Sequence, residues 1–170
     1  MNNHLDEAGK AIEERFGATG HRYSGELTLL IGPEHILEAA KILRDEFHFD
    51  MLIDATAVDY WPAQEPRFHV VYQLYSFPHN DLLRLRVPLN GNAPHVETVE
   101  KIYPGANWKE REIYDMFGIV FDGHSDLRRI IMPADWEGHP LRKDYPLGYE
   151  EVQFTFNAGE IDKRKPYVKE

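Results

Sequence analysis

Cysteine is absent from all 170 residues. Without a thiolate the chain has no ligand for a cysteine-held iron–sulfur cluster and no disulfide, a usage that fits a cytosolic-type protein. Long apolar runs are missing as well, since no uncharged stretch approaches the ~20 residues that span a bilayer. The N-terminus carries Asp6 and Glu7 and lacks the apolar centre of a signal peptide. No glycine-rich phosphate loop is present, so no nucleotide site is expected. Positive charge is scarce: 19 Lys+Arg stand against 29 Asp+Glu, a formal net charge of -10. That balance disfavours nucleic acid or an anionic membrane face as a direct partner. Work at a membrane would therefore run through another protein. Internal repeats and low-complexity segments are missing too.

What is present suffices for one domain with an extension, which at this length buries roughly 70% of its unfolded surface. Leu5, Ala8, Ile12 and Phe16 recur at helical spacing over 3–16, and Gly17 and Gly20 stop that helix. Two short strands, 21–24 and 26–31, meet at the Ser24-Gly25 turn. Pro33 opens a helix over 34–47, with Ile36, Leu37, Ala40, Leu43 and Phe47 on one face. His35 and His48 flank it as surface or capping residues. Strands follow over 51–60, 67–77 and 82–89, the last two joined at 78–81. Asp54 and Asp59 read as strand-end residues, with no histidine or glycine-rich turn to complete a metal site. Val96, Val99, Ile102 and Tyr103 predict a short helix over 95–103. The order α-β-β-α-β-β-β predicts an α+β two-layer domain: a mostly antiparallel sheet with helices on one face, then short helices and an extended C-terminal segment. Residues 1–105 are expected to form the α+β core, 106–147 a helix and partner-binding loops packed on it, and 148–170 an extended polar tail that orders against a partner.

The stretch 107–147 crowds acids, bases and aromatics between frequent glycines and prolines. A loop this long is usually functional or held by something. Its front, Trp108–Phe117, has helical logic. Asn107 is placed to be the N-cap and Glu110 to complete a capping-box-like start. Arg111 and Asp115 lie at i and i+4 and are expected to pair. Ile113, Met116 and Phe117 form the apolar stripe, and Gly118 ends the helix. Glu110, Arg111, Glu112 and Asp115 together suggest a fixed ionic network positioning the loops behind it. By residue type alone, His124, Asp126, Asp135, His139 and Asp144 are a ligand set for a metal-dependent hydrolase. Arg128, Arg129, Arg142 and Lys143 are interleaved with them and oppose a divalent cation. A free-standing acidic binding domain is the third class, its charges simply solvating a surface.

Three motifs decide among these classes: Glu-Arg-Glu-x-Tyr-Asp-Met-Phe-Gly-Ile at 110–119, Gly-His-x-Asp-Leu-Arg-Arg-Ile at 123–130, and Asp-Trp-x-Gly-His-Pro-Leu-Arg-Lys-Asp-Tyr-Pro-Leu at 135–147. In this order and spacing the chain resembles the C-subunit family of NADH-quinone oxidoreductase, the respiratory complex I, departing from it at Ser125, where the family usually has proline. The resemblance implies the same α+β class and a non-cofactor-binding subunit in the peripheral arm of a proton-translocating respiratory complex. That subunit braces the quinone-site subunit, beside iron–sulfur subunits, on the cytoplasmic side of the bacterial membrane. The parent complex would use FMN, iron–sulfur clusters, NADH and quinone on other chains. The matching subunit of a membrane-bound hydrogenase or hydrogenlyase is the runner-up. The interface residues implied are Glu110, Arg111, Glu112, Asp115, His124, Asp126, Arg128, Arg129, Asp135, Trp136, His139, Arg142, Lys143, Asp144 and Tyr145. Arg128–Arg129 and Arg142–Lys143–Asp144 are the expected contact points, since arginine forks pair carboxylates bidentately. His124 and His139 are expected to fix turns beside Gly123 and Gly138. Arg142 and Asp144, between Pro140 and Pro146, are expected beyond the sheet and dispensable to its packing.

Overall fold

The computed structural model describes residues 3–146 together with Phe156, Gly159, Glu160 and Lys163. The tail expected over 148–170 lies, those four apart, outside the described residues. The elements run α1 (Asn3–Phe16), β1 (Thr19–Tyr23), β2 (Glu26–Leu30), a 3-10 turn (Pro33–His35), α2 (Ile36–Asp45), β3 (Met51–Asp59), β4 (Phe68–Ser76), β5 (Asp81–Leu89), β6 (His95–Glu97), α3 (Ala106–Phe117) and β7 (Val120–Asp122). The expected α+β class and the β1–β5 order hold.

Five strands form one sheet in the order β1-β2-β5-β4-β3. Every pairing within it is antiparallel except β2 with β5, where Leu29 lies opposite Leu85. The parallel pair follows from chain economy, because α2, β3 and β4 intervene before β5 closes on β2. Alternation sets the layers. Phe68, Val70, Tyr72 and Leu74 of β4 and Leu83, Leu85, Val87 and Leu89 of β5 point one way and are buried. Against them lie Leu5, Ala8 and Ile12 of α1, Ile36, Ala40 and Leu43 of α2, and Ile113, Met116 and Phe117 of α3. Each such side chain stabilises the fold by roughly 1.5–3 kcal/mol on burial, so Leu85→Ala alone costs ~2–5 kcal/mol. α1 lies close on β2: a Cβ on Gly9 would come within 2.7 Å of Leu27 Cδ2.

Two local expectations fail. The helix over 34–47 is split, with a 3-10 turn at Pro33–His35 before α2. His35 stands at the N-cap position without a side-chain cap bond. The helix over 95–103 does not form. His95–Glu97 instead pairs in parallel with β7, Val96 opposite Phe121, and 98–103 is a run of turns closed by Tyr103 N–H on Val99 O at 2.9 Å. The apolar residues that suggested a helix are still buried, Val96, Val99 and Tyr103 among them. A non-local partner strand overrode the local period.

Candidate functional site: loops held against the end of α3

α3 starts earlier than its sequence suggests. Ala106 and Asn107 N–H already bond Tyr103 O and Pro104 O, and Gly105 occupies the N-cap position. Asn107 is therefore free to donate from its side chain to Glu100 Oε2 at 2.8 Å and Ser125 Oγ at 3.1 Å. Glu110 makes no capping box. It is buried, accepting from the Thr98 hydroxyl and from Val99 N–H at 2.9 Å. Burial, with a smaller contribution from Glu100, raises its pKa from 4.5 to about 7 against those two hydrogen bonds. Burial also pushes Glu100 up, but bonds from Asn107 and Ser125 outweigh it and hold that carboxyl below its usual range. The His124 side chain is fully enclosed beside both acids, with Nε2 3.6 Å from Glu100 and 3.8 Å from Glu110. His124 Nδ1 accepts from Asp126 N–H at 3.0 Å, so Nε2 carries the proton and faces Asn107 O at 3.2 Å. His124 thus fixes the turn after Gly123.

Arg111 and Asp115 do not pair. Arg111 Nε donates to Arg128 O at 3.1 Å and stacks over Trp108. Asp115 is buried and its carboxylate collects three successive backbone N–H groups, Ile130, Ile131 and Met132, at 3.1, 2.7 and 2.8 Å. Arg129 Nη1 adds a fourth bond at 2.6 Å. Burial alone would raise Asp115, but these donors, Met132 N–H foremost, hold it below the usual carboxylate range. Arg129 also donates to the carbonyls of Trp136 and Gly138, both at 2.9 Å. One buried ion pair therefore pins two loops.

The end of α3 is capped from a distance. Gly118 takes φ 70° and closes the helix on Tyr114 O, and α3 has no basic residue in its last turn. The loop supplies what is missing. His139 Nδ1 reaches Asp115 O at 3.0 Å, Leu141 N–H reaches Met116 O at 3.0 Å, and Arg142 donates to Phe117 O and Gly118 O. The orphan carbonyls and the negative helix end are thus both matched, with Arg142 as the cation. Burial, reinforced by Arg142 and Arg129, lowers the His139 pKa against its bond to the Asp115 carbonyl.

Asp144 is tied to the sheet. Arg67, at the start of β4, donates bidentately to Asp59 at 3.0 Å and to Asp144 at 2.7 and 3.0 Å. Asp59 also accepts from Trp61 N–H and Lys143 N–H. The Arg67 guanidinium lies between the rings of Trp61 and Phe68. Burial opposes ionisation of Asp59, but Arg67 and the two amides win and lower it from 3.8 to about 2. Arg67 holds Asp144 low as well. The expectation that Arg142 and Asp144 stand clear of the core is thus corrected. Arg142 lies over Phe68 and caps α3, and Asp144 completes a triad with Asp59. Arg67 and Asp59 were missed as site residues because nothing local links them to a partner 77 positions away from Arg67.

The remaining signature residues face outward or support turns. Tyr145 lies where a Cβ on Gly138 would come within 2.6 Å of its ring. Trp136 is half-buried; Glu112, Asp135 and Lys143 are exposed; and Arg128 pairs bidentately with Asp126 at 2.6 Å on the surface. Among the described residues His124, Asp126, Asp135, His139 and Asp144 do not come together, and no group of three or more His, Asp or Glu is arranged to hold a metal ion. Among these exposed charges the anchored loops also present apolar side chains: Ile130 is 40% exposed, Ile131 56% and Leu141 54%.

Residues 29–151 match the family model described as respiratory-chain NADH dehydrogenase, 30 kDa subunit. The NADH-quinone oxidoreductase C-subunit of Roseiflexus sp. (strain RS-1) is 49% identical over 150 residues, covering 87% of this chain and 86% of the relative. The same subunit from Salinispora tropica is 44% identical over 175 residues, covering 96% and 71%. Among solved structures, the trypsin-resistant fragment (1–134) of Nqo5 is 32% identical, with a TM-score of 0.66 over 73% of this chain and 99% of the fragment. A chain of the membrane-bound sulfane sulfur reductase, an archaeal respiratory membrane complex, gives 0.73 over 97% and 95%; at 21% identity that likeness speaks for the fold alone.

Proposed function

This chain belongs to the 30 kDa subunit family of the respiratory-chain NADH dehydrogenase, the C-subunit of NADH-quinone oxidoreductase, and from that premise we propose that it braces the quinone-site subunit through the loops held at the end of α3. Membership makes it a peripheral-arm subunit of a hetero-oligomeric oxidoreductase complex that uses cofactors on other subunits. Among the described residues no helix is long and apolar enough to cross a membrane. In our reading the chain itself carries no flavin, nucleotide, cluster or metal. It works on the cytoplasmic side, with 1–105 as the body, 106–147 as the docking part, and 148–170 as a tail that joins the partner.

One observation carries the bracing role: Glu110, Asp115, Arg129, Arg142 and Asp144 are engaged within the chain, and the loop that Asp115 and Arg129 fix turns isoleucines outward. Asp115 takes three amides in a row and leaves Ile130 and Ile131 exposed. A loop pre-ordered in this way loses little conformational entropy on docking. The contact is then made by Ile130, Ile131 and Leu141, with Arg128 and Lys143 at its rim, while Glu110, Asp115, Arg129, His139, Arg142 and Asp144 act as positioning residues. Ile131→Asp tests this. The isolated chain should melt at the wild-type temperature while the complex, on a native gel, loses this subunit and its quinone reductase activity. Normal assembly with Ile131→Asp would refute the loop as the docking part.

A further inference from the structure

The sheet has a second face. The helices pack on the inward side chains of β2, β4 and β5. The outward ones, Leu82, Arg84, Arg86 and Pro88 of β5 and His69, Gln73 and Tyr75 of β4, remain half-exposed. Leu30 of β2 and Val58 and Met51 of β3 are exposed beside them. Scattered surface hydrophobes need no explanation; here they flank a polar centre, Arg84 and Arg86 of β5 with His69 and Gln73 of β4.

The charge at the centre of this face is unusual for the chain. Acids outnumber bases 29 to 19. Arg84 has a carboxylate, Glu26, at 2.8 Å. Arg86 does not. Among the described residues its Nε donates to His69 Nδ1 at 3.0 Å, its Nη2 donates to the Tyr60 hydroxyl, and its guanidinium lies over the Tyr60 ring at 5.4 Å. His69 is an acceptor here because burial, and then Arg86 itself, lowers its pKa. A guanidinium has five donors, and here Nη1 has no acceptor among the described residues. Two neutral groups thus hold the fork in place, and among the described residues no carboxylate matches its charge. A fixed fork with an open edge receives a carboxylate bidentately, and arginine with aromatic and apolar neighbours is the composition of an interface centre. One cation on a chain of formal charge -10 does not suit an anionic lipid surface.

We propose that the uncovered sheet face, around Arg86, Tyr60, Val58 and Leu30, is a second docking surface, taken by a partner subunit that sets a carboxylate within an apolar stretch. It lies on the sheet face opposite the one on which α3 packs and is tested independently of the α3 loops. The partner's carboxylate meets the Arg86 edge, and its apolar side chains cover Leu30 and Val58.

The absence of cysteine makes the test clean. Val58→Cys places one thiol on this face, and maleimide labelling of this chain is read by mass in the isolated full chain and in the assembled complex. Labelling in the isolated chain with protection in the complex is expected. Equal labelling in both overturns the proposal. Protection already in the isolated chain assigns the face to another part of this chain, or to a second copy if the chain sediments as a dimer, and likewise overturns it. Arg86→Glu supplies the charge test: the isolated chain should keep its melting temperature, while the complex recovered on a native gel falls by roughly tenfold or more, as like charges brought together at an interface require. Arg86→Lys, which keeps the charge, should recover most of the assembly. Full assembly of Arg86→Glu refutes the carboxylate.

Discussion

Asp59→Ala is expected to cost this subunit more stability than any other single carboxylate change on the sheet. The Asp59 side chain is 1% exposed and that of Arg67 5%, whereas Asp144 is 37% exposed. Removing Asp59 leaves the guanidinium with one half-solvated partner and strips an acceptor from Trp61 N–H and Lys143 N–H. Breaking one side of a buried pair costs roughly 3–5 kcal/mol. For a chain of this size that lowers the melting temperature by on the order of 10 °C. Asp144→Ala removes the more solvated partner and should cost about 1 kcal/mol, with Asp59 still satisfying Arg67. The pH dependence has a definite sign. A carboxyl lowered from 3.8 to about 2 stabilises the fold above its unfolded value, and that contribution, roughly 2–3 kcal/mol, is lost as pH falls through about 2. Thermal melts from pH 2 to 7 should show a shallower acid loss in Asp59→Ala than in wild type. Equal melting temperatures for Asp59→Ala and Asp144→Ala at pH 7 would refute the reasoning, because the two differ chiefly in burial.

Gly118→Ala forces an L side chain into φ 70° and brings its Cβ within 2.5 Å of His139 and 2.6 Å of Arg142; a loss of ~1–3 kcal/mol is expected in a denaturant melt. Glu110→Gln should flatten the pH profile on the neutral side. A carboxyl raised from 4.5 to about 7 binds its proton more tightly when folded, so wild-type stability declines as pH rises between those values, and melts at pH 5 and 8 should differ less in the variant. The purified chain, supplemented with flavin and iron, should show no stoichiometric chromophore in its visible spectrum.

The sheet was legible in the sequence because its signals are local. Alternation of Leu83, Leu85 and Val87 with Arg84 and Arg86 gives a strand whatever surrounds it, and the Ser24-Gly25 turn announces its own hairpin. Where a distant segment decides, sequence reading failed. Residues 95–97 became a strand because β7 returns beside them after Gly118, a pairing no helical period can reveal. The site divides the same way. Asp115, Arg129, His139 and Arg142 lie in the three motifs and His124 does fix its turn, but Arg67 and Asp59 lie outside the motifs and the partners were misjudged. Arg111–Asp115 satisfied the i, i+4 rule, yet Asp115 gains more from Arg129 and three amides than from one half-buried helix neighbour. Arg142 and Asp144 looked like free charges because Phe117 O and Arg67 reach them only through the fold.

The central claim is that the docking loop is ordered by this chain before any partner arrives. Backbone hydrogen exchange at Ile130, Ile131 and Met132 in the isolated full chain tests it most directly, since all three amides bond Asp115. Slow exchange is predicted at these three positions in the wild type, with marked acceleration in Asp115→Asn. Exchange at the rate of an unstructured chain in the isolated wild type, slowing only within the assembled complex, would contradict the account.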